Sequence, residues 1–279
     1  MTVLIVGGSG FLGAELARQG RSAGLETAAT FRSRPGEGTG VSWHRLDLRN
    51  PANLHEVLDV TSPTAIINAS SGGAEWAVTA EGGMRLAQAA AQRGIKLIHV
   101  SSDAVFSGLR NGPYDEMCSP DPVTPYGAAK AAAETAVRLL STGAVVARTS
   151  LIIGDGQSEH EHLVHALAAG SRDGALFTDD VRCPVHVGDL AAALWELTLS
   201  DTAGVFHLAG LDAITRLELG TLIAQRDGLD PSLLPSGRRA DSGLPGGLSV
   251  RLDSRVTQKH LATRLRGARE FLRHPDFDR

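Results

Sequence analysis

The chain has 279 residues, 42% of them hydrophobic, and a formal net charge of −4. This length is enough for one large α/β domain or two small ones, with a sizeable buried core. The 27 Lys and Arg residues do not exceed the 31 Asp and Glu residues, and there are only 7 Phe, 3 Trp and 2 Tyr. Because a basic surface and stacking aromatic residues are both scarce, we expect no nucleic-acid partner.

Cysteine spacing and hydropathy indicate the compartment. Cys118 and Cys183 match no zinc or redox motif, and free thiols fit a reducing environment. No stretch approaches the ~18 consecutive apolar residues of a membrane span. The apolar run Val3–Val6 is interrupted by Gly7 and Gly8 and is too short for a signal peptide. We therefore expect a cytoplasmic protein with no membrane partner.

Strand-like and helix-like segments alternate through the first half of the chain. Short apolar runs indicate buried strands at Val3–Val6, Glu26–Phe31, Ala65–Asn68, Lys96–Ser101 and Ala144–Thr149. Helical patterns cover Phe11–Ala23, Ala52–Asp59, Glu75–Arg93 and Pro125–Leu140. This alternation predicts an α/β fold with a doubly wound parallel (Rossmann) sheet.

The pattern becomes less regular after residue 150. Helical segments are predicted at His162–Ala169, Asp189–Leu199, Leu217–Arg226 and Ser254–Leu272, and the stretch Asp230–Gly247 is rich in turn residues. We predict a dinucleotide-binding core over residues 1–150, to which residues 175–210 return. Residues 151–174 and 211–279 would form a smaller, irregular C-terminal substrate-binding part.

A glycine-rich turn follows the first predicted strand and opens the first predicted helix. Gly7 permits a tight turn, Gly10 lets the backbone approach a pyrophosphate, and Gly13 lets the helix pack close to the strand. The helix N-terminus offers free N–H groups and a partial positive charge to that anion. The turn predicts a cofactor site formed by Gly7, Ser9, Gly10, Phe11, Leu12 and Gly13.

The end of the second predicted strand bears on which dinucleotide binds. NAD sites usually have an acidic residue there that bonds the ribose hydroxyls. This chain has no acid at that place, but has Arg32, Ser33 and Arg34. Two guanidinium groups and a hydroxyl suit a 2′-phosphate. The sequence therefore favours NADPH, with NADH as the alternative.

A tyrosine and a lysine open the helix predicted at Pro125–Leu140. Tyr126 and Lys130 are four residues apart and so share a helix face. A nearby ammonium favours the phenolate, which would bring the phenol closer to a pH where it can act as a general acid or base. Ser102 lies at the end of a preceding strand, where its hydroxyl can bond a substrate carbonyl. These three residues are the predicted catalytic group.

Taken together, the glycine turn, the strand-end serine and the Tyr-x-x-x-Lys pair resemble an extended short-chain dehydrogenase/reductase. The segments Ser101–Gly108, Thr124–Gly127 and Arg148–Ser150 are similar to motifs of the dTDP-4-dehydrorhamnose reductase branch. The resemblance implies that Ser102 polarises a carbonyl, that Tyr126 gives the proton, and that Lys130 holds the nicotinamide ribose. Tyr126 and Lys130 would thus also contact the cofactor. The resemblance further places Asn68, Ala69 and Ser70 along the cofactor, with Asp47 and Leu48 beside the adenine.

The resemblance also implies a substrate side. Its expected residues are Asp103, Ala104, Ser150, Leu151, Arg182, Arg238 and Arg239. Ala104 stands where the related 4,6-dehydratases have a glutamate, so dehydration would lack its acid. Two features depart from the branch. Leu151 replaces an aromatic residue, and Leu244-Pro245 replaces an Arg-Pro that often holds the substrate diphosphate. Arg238 or Arg239 would then have to take over that role.

Several functions stay open at this point. The leading hypothesis is NADPH-dependent reduction of a keto group on a 4-keto-6-deoxy sugar nucleotide. The alternatives are a ketoreductase acting on a non-nucleotide ketone in natural-product tailoring, and an epimerase that retains NAD. A non-enzymatic regulatory subunit is a fourth, against which the intact catalytic group argues. A homodimer is possible. His160, His162 and His165 are interpreted as part of a solvated lid or helix start rather than as metal ligands.

Overall fold

The computed structural model describes residues 1–37 and 40–273. In chain order, its strands are β1 Thr2–Val6, β2 Glu26–Phe31, β3 Ser42–Arg45, β4 Ala65–Asn68, β5 Lys96–Ser102, β6 Val145–Thr149, β7 Ile152–Ile153, β8 Leu176–Phe177, β9 Val181–Arg182, β10 Val185–His186, β11 Gly204–Leu208, β12 Ile214–Thr215 and β13 Ser236–Gly237. Its helices are α1 Phe11–Ser22, α2 Pro51–Thr61, α3 Trp76–Thr79, α4 Glu81–Arg93, α5 Pro125–Leu140, α6 Glu159–Ala168, α7 Val187–Leu199, α8 Arg216–Arg226, α9 Arg255–Lys259 and α10 Ala268–Phe271.

The longer strands form one parallel sheet of seven strands in the order β11-β6-β5-β4-β1-β2-β3. From β1, the chain first builds outward through β2 and β3, and then returns to add β4 on the other side. The strand order therefore reverses between β1 and β4. The five strands expected from the first half of the sequence are all present, and the doubly wound Rossmann fold is confirmed.

Both faces of the sheet are covered. In β1, Val3 and Ile5 pack into a cluster with α1 and α7, whereas Leu4 and Val6 pack into a second cluster with α2 and α4. All four side chains are at most 1% exposed. This explains why the strand is a continuous apolar run, since alternate residues face two different helix layers.

A separate apolar cluster lies in the second half of the chain. It includes Ile153 and Val164 from β7 and α6, and Leu219 and Ile223 from α8. The C-terminal residues Leu261 and Leu265 instead pack into the cluster of α1 and α7. The proposed division into a core and a substrate-binding part stays a prediction. No helix among the described residues is long and apolar enough to cross a membrane.

The helix predicted over Ser254–Leu272 was wrong, because only α9 and α10 are helical there. Buried residues recur every three or four positions, which imitates a helix pattern, but the backbone between the two short helices bonds elsewhere. Glu196 accepts from the N–H groups of Ala262 and Thr263 (2.6 and 2.9 Å), and Asp189 accepts from Arg266 N (3.2 Å). Side chains of α7 thus satisfy backbone groups that a helix would have paired internally.

Other differences concern short elements. The expected helix Glu75–Arg93 is divided at Ala80 into α3 and α4, and α6 begins at Glu159 rather than His162. Strands β3 and β11 were not expected, and each lies at an edge of the sheet. The sequence Ser-Trp-His-Arg of β3 is only half-buried, so it lacks the apolar run that identifies a central strand.

Candidate active site

A cavity of about 890 Å³ opens at the carboxyl ends of the central strands. Its wall includes residues that follow five of these strands, among them Gly7, Arg32, Ala69, Asp103 and Ser150. In a doubly wound sheet, ligands bind at these ends where the strand order reverses. The reversal here falls between the directly paired strands β1 and β4. The cavity therefore lies where this fold class holds a dinucleotide.

The glycine turn forms one end of the cavity. Gly7 has a φ of +83°, which favours glycine, and its N–H donates to Thr30 Oγ1 (3.0 Å). A Cβ at Gly13 would collide with the carbonyl oxygen of Gly7, so a larger residue would push α1 away from the turn. Gly10 is the N-cap of α1 and has no side chain to bond its first N–H groups. Those groups are left for an anion, so the turn fits a pyrophosphate.

The residues of this turn divide between two places. Gly7, Ser9, Gly10, Phe11 and Leu12 line the cavity, whereas Gly13 lies behind the turn and acts through packing.

The expected adenosine end is formed by β2 and the segment after β3. Arg32, Asp47 and Leu48 line the cavity. Ser33 and Arg34 are exposed and do not line it. Asp47 is held by Arg49 (2.6 Å), whose hydrogen bonds lower the pKa of Asp47 to about 2. Of the three polar residues expected to read the 2′-phosphate, the structure therefore brings one, Arg32, to the cavity.

The end of β4 borders the middle of the cavity. Ala69 and Ser70 line it, while Asn68 is buried behind them. Asn68 Oδ1 accepts from Ser70 Oγ (2.6 Å), and its amide nitrogen lies 3.1 Å from Nδ1 of His99. Asn68 therefore fixes the side chain of Ser70 and does not itself line the cavity. Sequence reasoning did not single out the next residue, Ser71, although it also lines the cavity.

The predicted catalytic group converges at the centre of the cavity. Ser102, at the end of β5, and Tyr126 and Lys130, in the first two turns of α5, all line it. The side chain of Thr124 caps α5 by accepting from Gly127 N (3.0 Å), which fixes the helix start. Lys130 Nζ donates to the carbonyl oxygen of Val100 (3.0 Å) and lies 6.0 Å from the centre of the Tyr126 ring. The four-residue spacing thus places both side chains where expected.

Burial dominates the charge states of this pair. Desolvation lowers the pKa of Lys130 to about 8. Desolvation also raises the pKa of Tyr126, and hydrogen bonds with Ser102 and Ser71 oppose this only in part. The sequence argument expected Lys130 to favour the phenolate, and the structure instead favours the neutral phenol, because burial disfavours charge on the tyrosine. A phenol that keeps its proton near neutral pH is suited to give it away during reduction.

Of the residues expected on the substrate side, Asp103, Ala104, Ser150, Leu151 and Arg182 line the cavity. Ser150 Oγ donates to Asp103 Oδ2 (2.6 Å), and Arg182 Nε lies 3.6 Å from the same oxygen. Burial raises the pKa of Asp103, and Arg182 and Ser150 counteract part of that rise. The result is a buried polar wall directly beside Ser102.

The two arginines expected to replace the Arg-Pro differ in position. Arg239 lines the cavity, whereas Arg238 does not, is exposed, and lies 3.8 Å from Asp179. The buried carboxylate of Asp180 holds both Arg182 and Arg239, at 2.7 Å each. Sequence reasoning missed Asp180, because an acid in a turn gives no sign of its partners. It also could not tell which of two adjacent arginines faces the cavity.

The three histidines of α6 point in different directions. His160 lines the cavity, His162 is exposed, and His165 lies 2.6 Å from Asp227 on the surface. Among residues 1–37 and 40–273, no group of three His, Cys, Asp or Glu side chains could hold a metal ion.

Comparisons with known proteins show the family of the chain. The profile of the RmlD substrate binding domain family matches residues 1–245. A probable low-salt glycan biosynthesis reductase from Haloferax volcanii is 30% identical over 262 residues, covering 88% of this chain and 86% of that protein. The dTDP-4-dehydrorhamnose reductase of Mycobacterium tuberculosis is 30% identical over 243 residues, covering 82% and 76%. A crystal structure of a hypothetical dTDP-4-dehydrorhamnose reductase from Sulfolobus tokodaii superposes with a TM-score of 0.81 at 27% identity, covering 95% and 97%.

Proposed function

The chain belongs to the RmlD substrate binding domain family of extended short-chain dehydrogenase/reductases, and we propose that it is an NADPH-dependent reductase of a keto group on a 4-keto-6-deoxy sugar nucleotide. The observation that carries the proposal is the convergence of Ser102, Tyr126 and Lys130 on one cavity with a pyrophosphate turn. Relatives support it by their names, which include the reductase of Mycobacterium tuberculosis and a dTDP-4-keto-6-deoxy-D-glucose reductase of Streptomyces niveus, 29% identical over 255 residues.

A bound NADPH would supply the hydride for the carbonyl carbon. Ser102 and Tyr126 then have to stabilise and protonate the carbonyl oxygen. Both side chains line the same cavity, so one oxygen of the substrate can accept from both hydroxyls. The neutral phenol of Tyr126 gives its proton to the alkoxide as it forms. Lys130, fixed by Val100 O, stabilises the phenolate that remains and would hold the nicotinamide ribose.

The cofactor preference rests on Arg32. No acidic side chain follows β2 to bond the ribose hydroxyls, and Arg32 is the basic residue there that lines the cavity. A guanidinium forms charge-assisted hydrogen bonds with a phosphate. The side chain is 59% exposed, and its ion pair with Glu75 is long, at 4.0 Å. It is therefore available for the 2′-phosphate of NADPH, and NADH remains usable at lower affinity.

The substrate side supports a sugar nucleotide over a simple ketone. A desolvated diphosphate needs cationic or N–H partners, and Arg182 and Arg239 line the cavity. Asp103 and Ser150 offer hydrogen bonds suited to sugar hydroxyls. Ala104 lines the cavity where the related dehydratases have a glutamate, so the residues suit reduction and not dehydration.

A second candidate is reduction of a non-nucleotide ketone. Leu151 and Ile152 line the cavity and present an apolar wall where the family has an aromatic residue near the sugar. A less polar substrate would fit that wall. Arg182 and Arg239, which are both paired with Asp180, line the same cavity, however, and a nucleotide-free ketone would offer them no phosphate to bind.

The test is a substrate comparison with purified protein. NADPH oxidation is followed with dTDP-4-keto-6-deoxyglucose, with dTDP-4-keto-rhamnose and with ketones that carry no nucleotide. We expect turnover with a keto-sugar nucleotide, competitive inhibition by dTDP, and a lower KM for NADPH than for NADH. Turnover only with nucleotide-free ketones, and no binding of any nucleoside diphosphate, would favour the second candidate. Protein that purifies with tightly held NAD and consumes no NADPH would indicate an epimerase.

A further inference from the structure

His160 is the histidine of α6 that lines the cavity. Its helix begins with a capping box. Ser158 Oγ accepts from Glu161 N (3.2 Å), and the Glu161 carboxylate accepts from Ser158 N (2.8 Å). Arg226 binds the same carboxylate at 2.7 Å. Glu161 is fully buried, so the first turn of α6 is held firmly, and the direction of the His160 side chain is set by this turn.

A second arginine orients the imidazole ring. The guanidinium of Arg216, at the start of α8, donates to Nδ1 of His160 (3.4 Å). A neutral imidazole that accepts at Nδ1 carries its proton on Nε2. No described residue forms a hydrogen bond with Nε2. This nitrogen is also absent from the fully buried polar atoms that lack a partner, so it is accessible from the cavity. The ring therefore has one N–H donor that remains available in the cavity.

Its surroundings keep this ring neutral. Burial and the charge of Arg216 lower the pKa of His160 to about 4, and Glu161 counteracts this only partly. Glu161 also forms an ion pair with Arg226, which offsets the negative charge that would otherwise raise the pKa of His160. Near pH 7 the ring is thus a single neutral donor, which suits an uncharged oxygen. A phosphate oxygen would be served better by the cations Arg182 and Arg239.

We propose that His160 is a specificity-determining residue, whose Nε2–H donates a hydrogen bond to an uncharged oxygen of the substrate's sugar ring. The assignment rests on the proposed function, because it names which part of the keto-sugar nucleotide the residue recognises. Arg216 acts through His160 and is a positioning residue. The imidazole contributes to substrate binding and takes no part in proton transfer, which belongs to Tyr126.

Three variants of this position and one control test the assignment. His160→Phe keeps a planar ring but has no donor. His160→Gln places an amide N–H near the position of Nε2, whereas the amide of His160→Asn ends closer to Nδ1. His162→Phe changes an exposed histidine of the same helix outside the cavity. Each NADPH-bound variant is assayed with dTDP-4-keto-6-deoxyglucose, and its affinity for dTDP alone and its Tm are measured.

We expect His160→Phe and His160→Asn to raise the KM for the keto-sugar nucleotide about tenfold, equivalent to about 1.4 kcal/mol. His160→Gln should recover most of that loss, and the Kd for dTDP should stay unchanged in all variants. The wild-type KM should also not change between about pH 5.5 and pH 7, because the ring is already neutral there and the pKa of Lys130 in the same cavity lies higher, at about 8. His162→Phe should match the wild type.

Two results would overturn the inference alone. These are an unchanged KM in both His160→Phe and His160→Asn, and a loss of dTDP affinity as large as the loss of keto-sugar affinity, which would assign His160 to the phosphates. If His160→Phe does not fold, the KM values of His160→Gln and His160→Asn test the inference, which requires the lower KM for His160→Gln. A wild-type protein that reduces no keto-sugar nucleotide would overturn the proposed function as well.

Discussion

Replacing Arg32 by alanine tests how the chain distinguishes its two cofactors. Arg32 lines the cavity at the end of β2, whereas Arg34, two residues further along the chain, does not. A hydrogen bond to a charged group contributes about 1.5–3 kcal/mol. Because the Arg32 side chain is 59% exposed, we take the low end. A loss of about 1.5 kcal/mol corresponds to an affinity for NADPH that is about tenfold weaker.

The Kd values for NADPH and NADH are measured by titration of Arg32→Ala, Arg34→Ala and wild-type protein. Only NADPH has the 2′-phosphate, so Arg32→Ala should weaken NADPH binding about tenfold and leave NADH binding nearly unchanged. Arg34→Ala is the matched control and should affect neither cofactor strongly. An equal loss for both cofactors, or a larger effect from Arg34 than from Arg32, would refute the assignment of the 2′-phosphate site.

Three further predictions follow from the same geometry. Arg239→Ala should weaken dTDP binding at least tenfold, or ~1.4 kcal/mol, whereas Arg238→Ala, which changes a residue outside the cavity, should leave the Kd for dTDP unchanged. A larger rise in this Kd for Arg238→Ala than for Arg239→Ala would contradict the placement of the diphosphate. Glu134→Ala should lower the free energy of unfolding by about 3–5 kcal/mol, because the buried guanidinium of Arg148 would lose the carboxylate that it now binds at 2.8 Å. A loss below about 1 kcal/mol in urea denaturation would contradict this expectation. Since the pKa of Lys130 is lowered to about 8, its ammonium is lost as pH rises through that value, and kcat/KM for NADPH should fall on the alkaline side; a flat profile well above pH 8 would count against it.

Much of the site followed from local sequence patterns. The spacing of Tyr126 and Lys130 fixes a common helix face, and the strand ahead of Gly7 places the turn at the carboxyl ends of the parallel strands. Ser102 could be located because it ends an apolar strand. These inferences need only the periodicity of helices and strands and the rule that ligands bind where parallel strands end.

The remainder depended on contacts between distant segments. Nothing in the sequence distinguishes Arg239 from Arg238, because Arg239 is positioned by an ion pair with Asp180, about sixty residues earlier in the chain. The pattern of Ser254–Leu272 predicted one helix, whereas in the structure Glu196 and Asp189 bond part of its backbone. Burial also reversed the expected direction of the Tyr126 pKa. The assembly state stays a prediction of the sequence.

The central claim is that Tyr126 supplies the proton for carbonyl reduction, and the chain offers a matched control for testing it. Its other tyrosine, Tyr114, is buried, and its hydroxyl accepts from Gly108 N (3.0 Å) outside the catalytic group. Single-turnover reduction of dTDP-4-keto-6-deoxyglucose by NADPH is measured for Tyr126→Phe and Tyr114→Phe. We predict that Tyr126→Phe binds NADPH normally but reacts ~10²–10⁴-fold more slowly, and that Tyr114→Phe retains a rate close to that of the wild type. A Tyr126→Phe variant that reduces the substrate at the wild-type rate would contradict the account.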